Sequence, residues 1–307
     1  MGRHSKSMKR ARRLAAVGAV ALMVWLLVSF AVTWRLTSRP RPPYPEAAPE
    51  VTWGPIESHR LATRDGQEVG AWFAQGRDEA PSVLILHGNK GGRWNSLRRG
   101  ELLASRRGCS VLMISLRAHG DSTGTLNDFG HSAREDVIAA VEYLRGRRPD
   151  QPIVVIGVSL GSAAAAFAAG DLGEQVHGYV LETPYQDLKS ATWDRCRAYV
   201  PFPLDHVAYL GLRVTAPLVL PQFEEIAPLR AVEKVPASVP VLVLAGGKDR
   251  LAPPEGARAI VERLPGHGRL VVFSERGHLD LLNQDPKRYA EVVLGFCDEV
   301  AKSHRRE

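Results

Sequence analysis

Three observations in the 307-residue sequence predict an α/β fold: a mainly parallel sheet with helices on both faces, preceded by one transmembrane helix. Apolar, β-branched runs recur along the chain with helical patterns between most of them, the arrangement that yields parallel strands joined by crossover helices. One such run, 153–157, leads with almost no room to turn into Gly157-Val158-Ser159-Leu160-Gly161 and then a small-residue stretch over 163–169. Residues 14–34, finally, contain no charged side chain.

The N-terminal region comes first in the chain. Residues 1–13 carry six Lys or Arg and no acid, and 21 uncharged residues follow. As a helix those 21 residues span about 31 Å, close to the hydrocarbon thickness of a bilayer. The basic excess on this side, against Arg35, Arg39 and Arg41 on the other, puts residues 1–13 in the cytoplasm and the domain on the extracytoplasmic side. Trp34 suits the far interface. The apolar run is long for a cleaved signal peptide and no clean Ala-x-Ala site follows it, so 14–34 reads as a single-pass signal anchor. Residues 39–49 include five prolines. The linker 35–50 is therefore expected to be an extended spacer lifting a domain, 51–303, off the membrane.

The net charge is +7, but residues 1–50 hold nine Lys or Arg against two Glu, and the remaining 257 hold 31 of each sign. The excess belongs to the terminus, so no basic face is needed elsewhere and no nucleic-acid partner is expected. Cys109, Cys196 and Cys297 are odd in number and far apart, so neither a disulfide framework nor a metal cluster is implied. No Gly-x-Gly-x-x-Gly follows the first long strand, so no dinucleotide site is expected, and no cofactor.

In the domain, runs 58–63 and 69–74 flank Asp65-Gly66 and read as a hairpin. Strands are expected at 82–87, 110–116, 153–157, 178–182, 241–245 and 269–273. Helices are expected at 94–106, 131–146, 254–264 and 286–302, the last with Tyr289, Val292, Val293, Phe296 and Val300 at helical spacing. Residues 183–237 break the alternation and are too long for a structureless loop. Their aromatics, Tyr185, Trp193, Tyr199, Phe202, Tyr209 and Phe223, suggest short helices forming a lid within about 184–237 whose aromatics select the substrate.

In such sheets ligands sit at the carboxyl ends of the strands, so the residues just after each strand are the candidates. The sharp turn at Ser159 forces a strained backbone, and glycines two positions to either side let strand and helix approach. Ser159 is thus the candidate nucleophile. In His87-Gly88-Asn89-Lys90-Gly91-Gly92 the Asn89 N–H, with that of Leu160, can aim at an oxyanion. His87 reads as a structural imidazole. The loop Arg117-Ala118-His119-Gly120-Asp121-Ser122-Thr123-Gly124 helps shape the site, and His119, which precedes Ser159, is a weak candidate for the base. Asp249, in Gly247-Lys248-Asp249, suits the carboxylate that orients a histidine, with Glu182 in reserve. Of ten histidines only His278 and His304 follow the last strand, which makes His278 the natural base.

The motifs Gly157-Val158-Ser159-Leu160-Gly161, Gly247-Lys248-Asp249 and Gly277-His278 occur in that order, and with the two loops above the sequence resembles the α/β-hydrolase superfamily over about residues 53–303. Within it, the sequence is most similar to the serine-aminopeptidase-like branch, which has a short lid and includes membrane-tethered esterases and acyl-protein thioesterases. The resemblance implies Ser159 as nucleophile, His278 as base, Asp249 as acid, and Asn89 and Leu160 as backbone oxyanion donors. The function expected is a membrane-anchored serine hydrolase that cleaves carboxylic ester or thioester bonds of a small-molecule or lipid-like acyl substrate through an acyl-enzyme on Ser159. The alternatives are a serine aminopeptidase or amidase on the same triad, with Glu224 or Glu225 receiving the substrate ammonium, and a non-catalytic tethered binding protein. A haloalkane-type enzyme would want Asp where Ser159 stands.

Overall fold

The computed structural model describes residues 2–278 and 280–306. The chain opens with one helix, α1 (Gly2–Thr37), which continues the uncharged stretch in both directions. Its segment Met8–Thr37 is long and apolar enough to cross a membrane, and its most apolar 18-residue window has a mean hydropathy of 2.4. Most of its apolar side chains are exposed.

Eight strands form one sheet: β1 (Glu57–Ala62), β2 (Glu68–Ala74), β3 (Ser82–Leu86), β4 (Ser110–Ser115), β5 (Ile153–Val158), β6 (Gly178–Glu182), β7 (Val241–Gly246) and β8 (Gly268–Phe273). Their order is β1-β2-β4-β3-β5-β6-β7-β8. The expected hairpin pairs β1 with β2, and β2 lies antiparallel to β4. From β4 to β8 every pairing is parallel. The central strands β3, β4 and β7 are buried along their whole length, as their unbroken apolar runs require when helices cover both faces.

On one face α3 (Arg134–Arg147), α4 (Leu160–Leu172) and α8 (Pro254–Glu262) contribute Val137, Leu144, Ala165 and Ile260 to the larger core. On the other, α2 (Leu97–Arg107) and α10 (Pro286–His304) contribute Leu103, Tyr289, Val293 and Phe296. Alanines over 163–169 let α4 lie close to the sheet. The strand order reverses between β3 and β5, so the connections that leave their carboxyl ends run to opposite sides, the place where such sheets bind ligands.

Between β6 and β7 lie α5 (Leu188–Tyr199), α6 (Leu204–Val219) and α7 (Pro228–Ala231), which are the short helices expected of this segment. The aromatics of this segment are divided between its surface and its interior. Tyr199 and Phe202 are exposed at the turn between α5 and α6, and Trp193 packs on His206 and Tyr209. Of the six aromatics named above, only Tyr185 and Phe223 are among the buried residues of the small core that this segment forms with Ala163 of α4. A departure from expectation concerns 35–50. It is not a free spacer but lies against the domain. The Arg39 N–H donates to Thr125 O at 2.7 Å, and the Arg39 guanidinium donates to Ser122 O at 2.7 Å and Gly124 O at 3.1 Å. Buried Arg93 holds Glu46 through its carbonyl at 2.8 Å and its carboxylate at 3.2 Å. Proline stiffens this segment but does not prevent docking, because the partners are side chains and carbonyls that a sequence does not place in space.

Candidate active site

The turn from β5 into α4 gives Ser159 φ 50° and ψ −104°, the strained conformation expected of it. Lys90, Ala118, Phe129 and Thr183 also have positive φ. Lys90, Ala118 and Thr183 follow β3, β4 and β6, so strained non-glycine backbone gathers at the carboxyl edge of the sheet. The flanking glycines are needed for close approach. A Cβ on Gly157 would strike the Gly161 carbonyl, and one on Gly161 would lie 2.6 Å from Leu86 O and 2.8 Å from His87 O.

Three distant segments meet at the Ser159 hydroxyl. Ser159 Oγ lies 3.3 Å from His278 Nε2. His278 Nδ1 lies 2.7 Å from Asp249 Oδ2. The other Asp249 oxygen accepts the Leu251 and Ala252 N–H groups, both at 2.8 Å, so the carboxylate is fixed in one orientation within a buried loop. An imidazole donating from Nδ1 to this carboxylate presents Nε2 as an acceptor toward the serine hydroxyl.

Glu182, the reserve acid, accepts the Ser159 N–H on its carbonyl at 2.8 Å, but its side chain is directed away from His278. It is fully buried and bound to Arg99 at 2.7 Å, while Tyr289 donates to it at 3.1 Å and the Leu281 N–H at 3.1 Å. Arg99 also holds Asp280 at 2.8 Å, two residues beyond His278. Glu224, considered for a substrate ammonium, is exposed and already paired with Lys189 and with Arg213 at 2.5 Å.

The loop after β3 lies beside the nucleophile: a Cβ on Gly88 would sit 3.8 Å from Ser159 Cβ. Neither the Asn89 nor the Leu160 N–H donates a hydrogen bond to a described residue, which leaves both available to a ligand. Two imidazoles hold this loop. His87 donates from Nδ1 to Gly88 O at 2.7 Å and accepts the Leu116 N–H on Nε2 at 3.0 Å. His119 donates to Arg117 O at 2.9 Å and accepts the Lys90 N–H at 3.2 Å. Burial pushes His87 down to about 3 and lowers His119 as well, so each stays neutral and keeps an acceptor nitrogen.

Asn127 is the residue that sequence reasoning missed. Its side-chain amide donates to Asn89 Oδ1 at 2.9 Å, and its Oδ1 accepts the Phe129 N–H at 3.2 Å. The Tyr185 hydroxyl, held protonated by burial, donates to Phe129 O at 2.7 Å. No motif marks Asn127; it lies three residues past the polar loop after β4, and only the fold brings it to Asn89.

Comparison with known proteins adds to this geometry. The alpha/beta hydrolase family model matches residues 83–292. The uncharacterized protein Rv2307c of Mycobacterium tuberculosis is 29% identical over 306 residues, covering 96% of this chain and 98% of its own. The lysophosphatidylserine lipase ABHD12 of Rattus norvegicus is 27% identical over 188 residues, covering 51% of this chain and 46% of its own. Among solved structures, the Pyrococcus furiosus esterase Pf2001 superposes with a TM-score of 0.68 at 21% identity, over 84% of this chain and 97% of the esterase, a likeness of fold.

Proposed function

The chain belongs to the alpha/beta hydrolase family, and on that premise we propose that it is a membrane-anchored serine hydrolase of carboxylic ester or thioester bonds. The observation that carries the reading is the line from Asp249 through His278 to Ser159, at 2.7 and 3.3 Å, ending on a serine in strained backbone.

His278 Nε2 takes the proton as Ser159 Oγ attacks the substrate carbonyl carbon. The carbonyl oxygen becomes an oxyanion and receives the N–H groups of Asn89 and Leu160, the latter at the start of α4 where the helix dipole also favours negative charge. Asp249 stabilises the imidazolium and holds its tautomer. Collapse of the tetrahedral intermediate breaks the bond to the leaving alkoxide or thiolate, which takes the proton from His278. Water, deprotonated by the same imidazole, then attacks the acyl-enzyme, and Ser159 recovers its proton as the acid leaves.

Ester or thioester is favoured over amide because alcohols and thiols leave more readily than amines. A lipid-like acyl substrate accords with α1 as a membrane anchor and with a relative named a lysophosphatidylserine lipase. In this reading the N-terminus is cytoplasmic and the domain extracytoplasmic, following the distribution of basic residues.

A fluorophosphonate probe tests the chemistry. It should label the wild-type protein and not Ser159→Ala. A folded wild type that resists labelling would remove the enzyme reading. Protease added to cells with permeabilised outer barriers should remove the domain, and a protected domain would reverse the orientation.

A further inference from the structure

The anchor and the lid are packed side by side, and their register fixes the depth of the lid. The Trp25 indole donates to Val207 O at 3.3 Å. A Cβ on Gly211 would collide with the Ser29 hydroxyl and lie 2.9 Å from Ser29 Cβ. The Thr33 and Thr215 hydroxyls are 2.8 Å apart. The contacts advance four residues at a time on both helices, so α1 and α6 run parallel. A seam of small and hydroxyl residues at every fourth position is how helices approach one another in lipid.

The position of α1 in a bilayer has little slack. Arg12 and Arg13 close the uncharged stretch at one end and Arg35 at the other. The span between them is about as long as the hydrocarbon layer is thick. Trp25 lies nine residues before Trp34, roughly 14 Å along the helix from the far boundary. The part of α6 beside residues 25–33 shares that depth. Tilting α1 reduces the depth without separating the helices.

The surface of α6 fits that environment. Leu204, Val207, Leu210 and Val214 recur at three- and four-residue spacing and are 48–58% exposed, where a helix bordering water would be polar. Phe202, at the turn into α6, is 81% exposed. In that turn, Val200-Pro201-Phe202-Pro203, two residues have no N–H to satisfy and the Val200 N–H donates to Cys196 O at 2.8 Å, which leaves the Phe202 N–H as the one without a partner among the described residues. Of the ionisable groups at this end, Asp205 and His206 are joined at 2.8 Å, and the exposed Arg197, at the end of α5, lies 5.7 Å over the Trp193 ring. Arg213, nearer the boundary, is held by Glu224.

We propose that α6 is a membrane-embedded lid helix. Its face from Phe202 to Val214 is covered by lipid acyl chains of the leaflet nearest the domain, with α1 on its flank. The proposal rests on reading α1 as a membrane span. It makes the anchor part of the lid's setting rather than a tether, and it brings the site loops to the head groups. Thr37, three residues beyond Trp34, accepts the Asn127 N–H at 2.6 Å. An acyl substrate resident in the leaflet would then reach the lid without crossing water.

The test uses the full chain in phosphatidylcholine nanodiscs, with or without brominated acyl chains. An environment-sensitive fluorophore is placed on single added cysteines; the native Cys109, Cys196 and Cys297 are buried. Leu210→Cys and Val214→Cys report on α6, Leu27→Cys on the anchor, and Lys302→Cys on α10 as a water-facing control. Each labelled protein must keep the wild-type melting transition. The proposal expects the probes at 210 and 214 to lose as large a fraction of emission to bromine as the probe at 27, with none lost at 302. Quenching at 27 but not at 210 and 214 would overturn it and leave the anchor standing. A blue-shifted but unquenched probe at 210 would mean that protein, such as a second copy, covers this face, and would also overturn it. No quenching at 27 would remove the anchor reading and this proposal with it.

Discussion

Asn127 donates from its side chain to Asn89 Oδ1 at 2.9 Å while its backbone N–H donates to Thr37 O at 2.6 Å, so one residue joins the last turn of the apolar helix to the loop of the proposed oxyanion site. The loop must hold its N–H in place before the oxyanion forms, and Asn127 restrains it from the side chain. Asn127→Ala is expected to lower kcat about tenfold with KM nearly unchanged, the equivalent of one hydrogen bond of ~1.4 kcal/mol acting in the transition state. Steady-state kinetics on a soluble chromogenic ester would show it. An unchanged kcat in a protein of wild-type melting temperature would remove the positioning role.

Asp249 and Glu182 should part cleanly under substitution. Asp249→Asn keeps an oxygen for the Leu251 and Ala252 N–H groups but disturbs the tautomer of His278, so a loss of about 10⁴-fold in kcat is expected with stability little altered. Glu182→Gln leaves Arg99 short of a buried counter-charge, which is expected to cost ~3 kcal/mol of stability. Measuring kcat and denaturation midpoints for both variants separates the roles. Equal loss of kcat in the two folded proteins would count against Asp249.

Ser159 stores strain that glycine would relieve. At φ 50° and ψ −104° a side chain is disfavoured, and Ser159→Ala keeps the Cβ whereas Ser159→Gly does not. Both variants should be inactive, and the glycine variant should be more stable than the alanine variant by ~1 kcal/mol. Urea titration of the pair reads the difference directly, and a less stable glycine variant would contradict the strain.

The neutral His87 gives a defined pH dependence. Its folded value, about 3, lies below the unfolded value of ~6.5, so the unfolded chain binds the proton first. The stability associated with neutral His87 is complete above pH ~6.5 and drains as pH falls toward 3, by about 1.4 kcal/mol per unit within that window. His87→Gln should flatten the slope of unfolding free energy between pH 6.5 and 5. In the wild type the ring resonances of His87 should not titrate between pH 8 and 5, and a midpoint near 6.5 would refute the burial argument.

The docked segment 35–50 should contribute to folding of the domain. Arg93 is buried and shares its guanidinium between Asp121, at 2.6 and 2.8 Å, and Glu46. A chain beginning at residue 51 is expected to be ~3 kcal/mol less stable than one beginning at residue 36, since it leaves a buried cation short of partners. Matching melting curves for the two chains would mean that the segment is only a spacer.

Local chemistry was legible because it is written in consecutive residues. The parallel sheet followed from fully apolar runs, the strained turn from glycines two positions either side of Ser159, and the membrane-length helix from 21 uncharged residues. Ser159, Asp249 and His278 were candidates because each follows a strand, and parallel strands bring their carboxyl ends to one edge. What required the tertiary structure were choices between side chains that are equal in sequence. Glu182 ends β6 and Asp249 follows β7 by three residues, yet only the Asp249 carboxylate lies beside His278, because that of Glu182 points into the core toward Arg99 and Tyr289. Asn127 carries no pattern at all; its role comes from a loop folded between Thr37 and Asn89. The docking of 35–50 and the pairing of α1 with α6 depend on contacts across tens to nearly two hundred residues, which periodicity and motif spacing do not encode.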